Sequence, residues 1–118
     1  MTKGQCEAKI SEAISRFEID HMGRGPEQIK SYILQDMIVV RLKGFLSHAE
    51  RKLAVSKEGV ELLKRVRTML FEENTDVLER TVSDIVSSAV TSMHSDVSTR
   101  TGEKVIIFTL QDNLEERF

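Results

Sequence analysis

The chain has 118 residues, and 17 Lys and Arg against 19 Asp and Glu give it a formal net charge of −2. Hydrophobic residues make up 40% of the sequence and Pro26 is the only proline, which excludes a disordered chain and indicates one globular domain over residues 1–118. No apolar run approaches the roughly 20 residues that cross a bilayer, no leader-like segment opens the chain, and the near-neutral charge disfavours nucleic-acid binding.

The first stretch has the periodicity of an amphipathic helix over about residues 3–21. Its apolar side chains recur at spacings of three and four: Cys6, Ile10, Ala13, Ile14, Phe17. Polar residues, including Glu18, are expected on the opposite, wet side. Cys6 is the only cysteine, so we expect a buried free thiol and a cytoplasmic location.

A Met-Gly-Arg-Gly-Pro string at positions 22–26 ends this helix. Gly23 can adopt the left-handed conformation that closes a helix, and the proline prevents continuation. The string also has a functional interpretation. Gly23 and Gly25 expose backbone amides and Arg24 adds a fork of donors, so the loop can hold an anion. We treat these three residues and Arg41 as candidate anion-binding residues, with a simple helix stop as the alternative.

After the proline the apolar period changes to two, which predicts a hairpin. One strand begins near Ile29, Gln35 and Asp36 form a tight turn, and Met37–Lys43 is the second strand. In that strand, one set of side chains is expected on the core face: Ile38, Val40, Leu42. The other set is expected on a half-wet face: Met37, Val39, Arg41, Lys43.

Helices are predicted next. Ser47 and Glu50 have capping-box spacing and open a short helix. Residues 57–87 then form either one rod of about 46 Å or two helices divided near Asn74. We favour the rod, which would overhang the domain and pack on a second copy in a homodimer, whereas a break would give an antiparallel pair. The charges around Arg67 alternate in sign and indicate a solvated face.

The last third returns to alternation and predicts a second hairpin, with its second strand over residues 104–110 and a polar tail of low order over residues 111–118. One face of its first strand carries Val90, Ser92, His94, Asp96 and Ser98. A histidine, a carboxylate and a hydroxyl on one face can form an acid–base–nucleophile group, and Thr101 follows in the turn. Because alternate side chains lie roughly 6.6 Å apart, a wet sheet face is the simpler interpretation.

The predicted order is α-β-β-α-α-β-β, which indicates an α+β fold with a four-stranded antiparallel or mixed sheet and helices on one face. The three histidines fall in three separate elements: His21, His48, His94. We therefore expect no metal site, and no cofactor motif is present.

Several segments together resemble the MpsC-like family of small bacterial domains. They are MGRGP at 22–26, IVVRLKG at 38–44, Ala49-Glu50, Leu53-Ala54, and DVSTRTGEKVIIFTL at 96–110. The resemblance covers about residues 3–112, and its most specific parts are the Gly-Arg-Gly-Pro string and the Ser-Thr-x-Thr-Gly-Glu turn. The family name implies an accessory role near bacterial sodium or inorganic-carbon transport and a membrane-potential system. It offers no catalytic residues to transfer.

Two functional hypotheses follow. The first is a non-enzymatic cytoplasmic accessory or regulatory module, homodimeric and bound to a membrane-protein partner or a small anion, without insertion into the membrane. The alternative is a small enzyme that acts on an anionic small molecule through His94, Asp96 and Ser98. A pocket where these three side chains converge would favour the enzyme.

Overall fold

The helical and alternating stretches of the sequence become four α-helices and four strands in the computed structural model, which describes residues 1–118. The helices are α1 (Lys3–Met22), α2 (His48–Leu53), α3 (Lys57–Glu73) and α4 (Thr75–Val86). The strands are β1 (Gln28–Leu34), β2 (Met37–Lys43), β3 (Val90–Ser98) and β4 (Glu103–Leu110), and a 3₁₀ helix covers Leu114–Arg117. This order confirms the predicted α+β fold.

The two hairpins join into one sheet with the strand order β1-β2-β4-β3, in which every neighbouring pair is antiparallel. The predicted turn between the first two strands is present, with Gln35 at a φ of 59°. One face of the sheet is buried under the helices, through Ile33, Ile38, Val40, Leu42, Ile106, Phe108 and Leu110. No helix covers the other face, as expected for an antiparallel sheet.

The main core lies between this buried sheet face and helices α1 and α4. The predicted α1 stripe is buried through Cys6, Ile10, Ile14 and Phe17. Burial raises the pKa of the Cys6 thiol, the Glu7 carboxylate adds to the increase, and the nearby positive charges of Arg117 and Lys9 offset part of it. A smaller cluster beneath α3 contains Phe45, Leu46 and Leu63.

The long predicted helix is not a single rod. Asn74 ends α3, and α4 begins at the next residue. The Asn74 amide donates to the Leu70 carbonyl at 2.7 Å, and the Thr75 hydroxyl donates to the Glu72 carbonyl at 3.1 Å, so polar side chains satisfy the carbonyl groups at the break. Both helices pack more on α1 than on each other. The overhanging rod therefore gives no support for a dimer.

The end of the chain is more ordered than its polar composition indicated. Leu114 is 1% exposed and belongs to the core, and its backbone amide donates to the Gln35 carbonyl at 2.8 Å. The Glu115 carboxylate accepts from the Gln35 amide at 2.9 Å. One apolar side chain and these two bonds hold the tail against the first hairpin.

The start of β3 also differs from simple alternation. A bulge between Val90 and Ser92 shifts the register, so Val90 packs on the core while Ser92 faces outward. The prediction that Val90 shares a face with His94 is therefore wrong. The extra residue of a bulge reverses the faces on its two sides.

A polar layer lies between the two hydrophobic clusters, and two of its side chains, Glu18 and Arg67, were expected on wet faces. Glu18 and Lys104 are 1% and 2% exposed and meet at 2.8 Å. Neither Glu18 oxygen has a hydrogen-bond partner, so attraction between the two charges holds this pair. Burial lowers the pKa of Lys104, attraction to Glu18 offsets part of that effect, and Arg67 adds to the lowering.

Arg67 is the other buried side chain of this layer. Its Nε and Nη2 atoms donate to the two oxygens of Glu50 at 2.9 and 3.0 Å, and its guanidinium lies 4.6 Å from the Phe45 ring centre. Burial would raise the pKa of Glu50, but hydrogen bonds from Arg67 and Ser47 outweigh it and hold that pKa below its ordinary value. Arg67 therefore ties α3 to α2 and is not part of a solvated face.

Candidate functional site

The glycine-arginine loop after α1 serves mainly to position the chain. Gly23 has a φ of 91° and closes the helix, and a Cβ on Gly25 would lie 3.1 Å from the Ile19 side chain. Arg24 Nη2 lies 3.5 Å from the Glu27 carboxylate. Arg41 lies on the outer sheet face and meets Glu103 at 2.8 Å. The two candidate arginines are thus directed at different carboxylates of the same chain.

The polar face of β3 does not form a reactive group. His94, Asp96 and Ser98 face outward on an edge strand, and no hydrogen bond joins any two of them. The Asp96 carboxylate accepts from the amide of Val97, and the Ser98 hydroxyl accepts from the amide of Thr101. Only Asp96 of the three lines a cleft, the one beneath α3. Nothing in this geometry activates the hydroxyl as a nucleophile.

A basic cleft lies where the residues that follow the Gly-Arg-Gly-Pro string meet the β3–β4 turn. The residues before β1, the end of β2 and the β3–β4 turn are joined there by backbone bonds: the Glu27 amide donates to the Lys43 carbonyl at 2.9 Å, and the Gly44 amide donates to the Gly102 carbonyl at 3.0 Å. Gly44 has a φ of 69°, and a Cβ on it would lie 2.6 Å from the Glu27 side chain. A glycine is therefore required for this junction.

The cleft has a volume of about 370 Å³ and a strong excess of positive charge. Three cations line it, Lys43, Arg51 and Arg100, against the single carboxylate of Glu27. None of the three cations has a carboxylate within 4 Å, although the chain as a whole carries a net charge of −2. Hydroxyl donors are added by Thr99 and Thr101. We refer to these residues as the basic cleft.

A second cleft, beneath α3, has a volume of about 190 Å³ and also contains cations. Its two buried cations are already neutralised, because Arg67 is paired with Glu50 and Lys104 with Glu18. The basic cleft therefore contains more positive charge that is not paired with a carboxylate than the second cleft does. An anionic ligand is therefore attracted more strongly to the basic cleft.

Sequence reasoning found only part of this site. Thr101 was a candidate and lines the cleft, whereas Arg24 lies beside it through Glu27. The signal for Arg100 was present, since it stands inside the Ser-Thr-x-Thr-Gly-Glu turn. Lys43 was expected in a small positive patch with Arg41 and Arg24, whereas the cleft groups it with Arg51 and Arg100. Arg51 gave no signal, because only folding brings helix α2 next to that turn.

The family comparison agrees with the resemblance seen in the sequence. The model described as "Na+-translocating membrane potential-generating system (MpsC)" matches residues 2–112. The chain belongs to the MpsC family. Among the relatives of this MpsC-family chain, the uncharacterized protein YbcI of Bacillus subtilis is 42% identical over 115 residues, which cover 98% of the chain and 93% of YbcI. The uncharacterized protein YrhF of the same organism is 23% identical over 110 residues, which cover 92% and 90%.

No solved structure matches this chain. None of its helices has the combination of length and apolar character that a membrane crossing requires. No three His, Cys, Asp or Glu side chains come together where they could share a metal ion.

Proposed function

We propose that this chain is a non-catalytic cytoplasmic accessory module that binds an acidic segment of a membrane-protein partner. The partner belongs to a membrane-potential-generating system coupled to sodium or inorganic-carbon transport. The description of the family supports the biological setting. The observation that carries the proposal is the basic cleft, with three unpaired cations on one surface of an acidic chain.

An acidic segment suits the cleft better than a single small anion. Lys43, Arg51 and Arg100 come from three separate segments and line one open groove, so a ligand with several carboxylates can contact all of them. Arginine forms paired hydrogen bonds with a carboxylate, and each such charged bond contributes about 1.5–3 kcal/mol. Long-range attraction also speeds the encounter with an acidic partner.

The first experiment measures binding of a hexaglutamate peptide by calorimetry and by amide chemical shifts. We expect shifts at the backbone of Thr101 and Gly102, and loss of at least about tenfold in affinity for the double variant Arg51→Glu/Arg100→Glu. The matched control, Arg65→Glu/Arg80→Glu, changes the net charge equally on exposed helix surfaces and should bind like the wild type. Equal affinity of both double variants, or binding of inorganic phosphate without binding of the peptide, would overturn the assignment.

The second experiment identifies the partner by capture from membranes of the source organism in mild detergent. Wild type and the control variant should retain integral membrane subunits of an ion-transport system, and Arg51→Glu/Arg100→Glu should lose them. Capture that is the same for all three proteins would count against the basic cleft as the docking site. Turnover of a small molecule by the captured chain alone would count against a non-catalytic role.

A further inference from the structure

The outer face of the sheet has more apolar surface than a solvated face needs. Six of its outward side chains are apolar: Tyr32, Leu34, Met37, Val39, Val105 and Ile107. Tyr32 and Leu34 are 41% and 51% exposed, and all the helices lie on the opposite face. A contiguous apolar patch on a folded domain marks an interaction surface more often than chance. We refer to this surface as the outer sheet face.

The strand register arranges the outer sheet face in rows that cross all four strands in the order β1-β2-β4-β3. Two rows carry most of the apolar side chains: Tyr32-Val39-Ile107-His94 and Leu34-Met37-Thr109-Ser92. The two other rows carry the charges: Lys30-Arg41-Val105-Asp96 and Gln28-Lys43-Glu103-Ser98. In both charged rows the cations lie on β1 and β2, and the carboxylates lie on β3 and β4.

We infer that the outer sheet face binds a second copy of this chain, face to face, about a two-fold axis that runs parallel to the strands between β2 and β4. This axis places each row opposite the same row of the second copy, with the strands in reverse order, so that β1 faces the second copy's β3 and β2 faces its β4. Lys30 then faces the second copy's Asp96, and Lys43 faces its Glu103. Val39 faces Ile107, so the apolar rows also meet each other. Aligned sheets pack in this way, with a rotation of about 30° that follows from their twist.

Other symmetric arrangements fit the same surface less well. A two-fold axis across the strands would reverse the order of the rows, so that Leu34 would face the charged row that contains Lys43. Charge would then be buried against apolar side chains, which is unfavourable. With the parallel axis the apolar rows meet each other, and Lys30 and Lys43 meet carboxylates, as a self-complementary two-fold interface requires. Arg41 lies opposite the second copy's Val105 and keeps Glu103 of its own chain as its partner.

The outer sheet face is small for a specific dimer, close to the lower end of the size range. Four strands spaced about 4.8 Å apart, with about seven residues each, span roughly 19 by 23 Å, or about 440 Å² in projection. Two copies give nearly 900 Å² before side-chain relief is counted, which approaches the lower end of specific interfaces at about 1,200 Å². The dimer and the basic cleft share Lys43, which faces the second copy's Glu103 in the proposed arrangement. Lys30 and Asp96 lie only on the outer sheet face, and Arg51 and Arg100 line only the basic cleft, so variants at these positions test the two proposals separately.

The first test is the mass in solution by light scattering over a range of protein concentrations. We expect twice the chain mass of 13.4 kDa for the wild type and the single-chain mass for Val39→Lys. Val66→Lys is the matched control, because Val66 is exposed on α3 and apolar but lies away from the sheet. A monomeric wild type, or a dimer broken by Val66→Lys and not by Val39→Lys, would overturn the inference.

The second test is a charge exchange that does not depend on how well any one variant folds. Lys30 and Asp96 are three strands apart in one copy, roughly 14 Å, so they do not contact each other within the chain. Lys30→Asp alone and Asp96→Lys alone should each weaken the dimer about tenfold or more, and the double variant should recover most of the affinity. Lys52→Asp, on exposed α2, controls for the charge change. Failure of the double variant to recover any affinity would refute the two-fold arrangement.

Discussion

Replacing Glu18 with glutamine should destabilise the fold more than any exposed substitution, because it leaves the Lys104 ammonium without its counter-charge. The two side chains are almost fully buried and meet at 2.8 Å, with the ammonium 4.5 Å from the Phe71 ring centre. Removing one partner of a buried ion pair costs about 3–5 kcal/mol. Deprotonation of Lys104 limits the cost. Removing the proton from a lysine with the ordinary pKa of 10.5 at pH 7 costs about 4.8 kcal/mol, and this free energy is the upper limit on the loss of stability.

Thermal and urea unfolding monitored by circular dichroism measure this cost. For 118 residues, an unfolding entropy of about 2.1 cal/mol/K per residue gives roughly 4 °C per kcal/mol, so Glu18→Gln should lower Tm by about 12–20 °C. The unfolded chain binds a proton at Lys104 up to pH 10.5, while the folded variant releases it at lower pH. Stability of the variant should therefore rise with pH across that window, and its deficit against the wild type should narrow.

The double variant Glu18→Leu/Lys104→Met separates the charge effect from packing. It removes both buried charges and fills their space with apolar atoms, so its stability should equal or exceed that of the wild type, by up to about 4 kcal/mol. A loss below about 1 kcal/mol for Glu18→Gln, or a double variant less stable than the single one, would refute the description of a desolvated ion pair.

Three further predictions concern particular side chains. Gly59→Ala should cost about 3 kcal/mol in urea unfolding, because its Cβ would lie 1.8 Å from the Leu53 carbonyl oxygen, and a loss below about 1 kcal/mol would show that α2 yields freely. The pKa of Glu50 is lower in the folded chain than its ordinary value of 4.5. Glu50 therefore stabilises the fold at pH values above 4.5, and this contribution is lost as the pH falls through the folded pKa. Glu50→Gln should therefore flatten the acid side of the stability curve, and parallel wild-type and variant curves would contradict the Arg67 pairing. Cys6 should react with a thiol reagent about 100-fold more slowly than in urea-unfolded protein, and equal rates would contradict its burial.

Local periodicity was sufficient for most of the fold. The spacing of Ile10, Ile14 and Phe17 identified the buried side of α1, and alternation identified the buried face of β2 and the extent of β4. Where one side chain was enough to change the pattern, prediction failed. The bulge at Val90 places that side chain on the opposite sheet face from the predicted one, and burial of Leu114 in the core orders a tail that was expected to be disordered.

The buried charges were missed although their positions were informative. Glu18 continues the four-residue spacing of Ile10 and Ile14, and Lys104 continues the alternation of Ile106 and Phe108. Residue type placed Glu18 on the surface, and no face was assigned to Lys104, whereas the positions of both side chains match the core. A carboxylate and an ammonium can be buried when they form an ion pair, and only the three-dimensional packing shows that these two groups are close enough to do so.

The two proposed surfaces are linked by the geometry of the sheet. The basic cleft lies at the end of the sheet that carries the row Gln28-Lys43-Glu103-Ser98. A two-fold axis parallel to the strands keeps that end in place, so both basic clefts of the dimer lie at one end and face the same side. Two linked sites bind a partner with two acidic segments far more tightly than one site does. Lys30→Asp should accordingly weaken capture of the membrane partner while it leaves hexaglutamate binding to a single basic cleft unchanged.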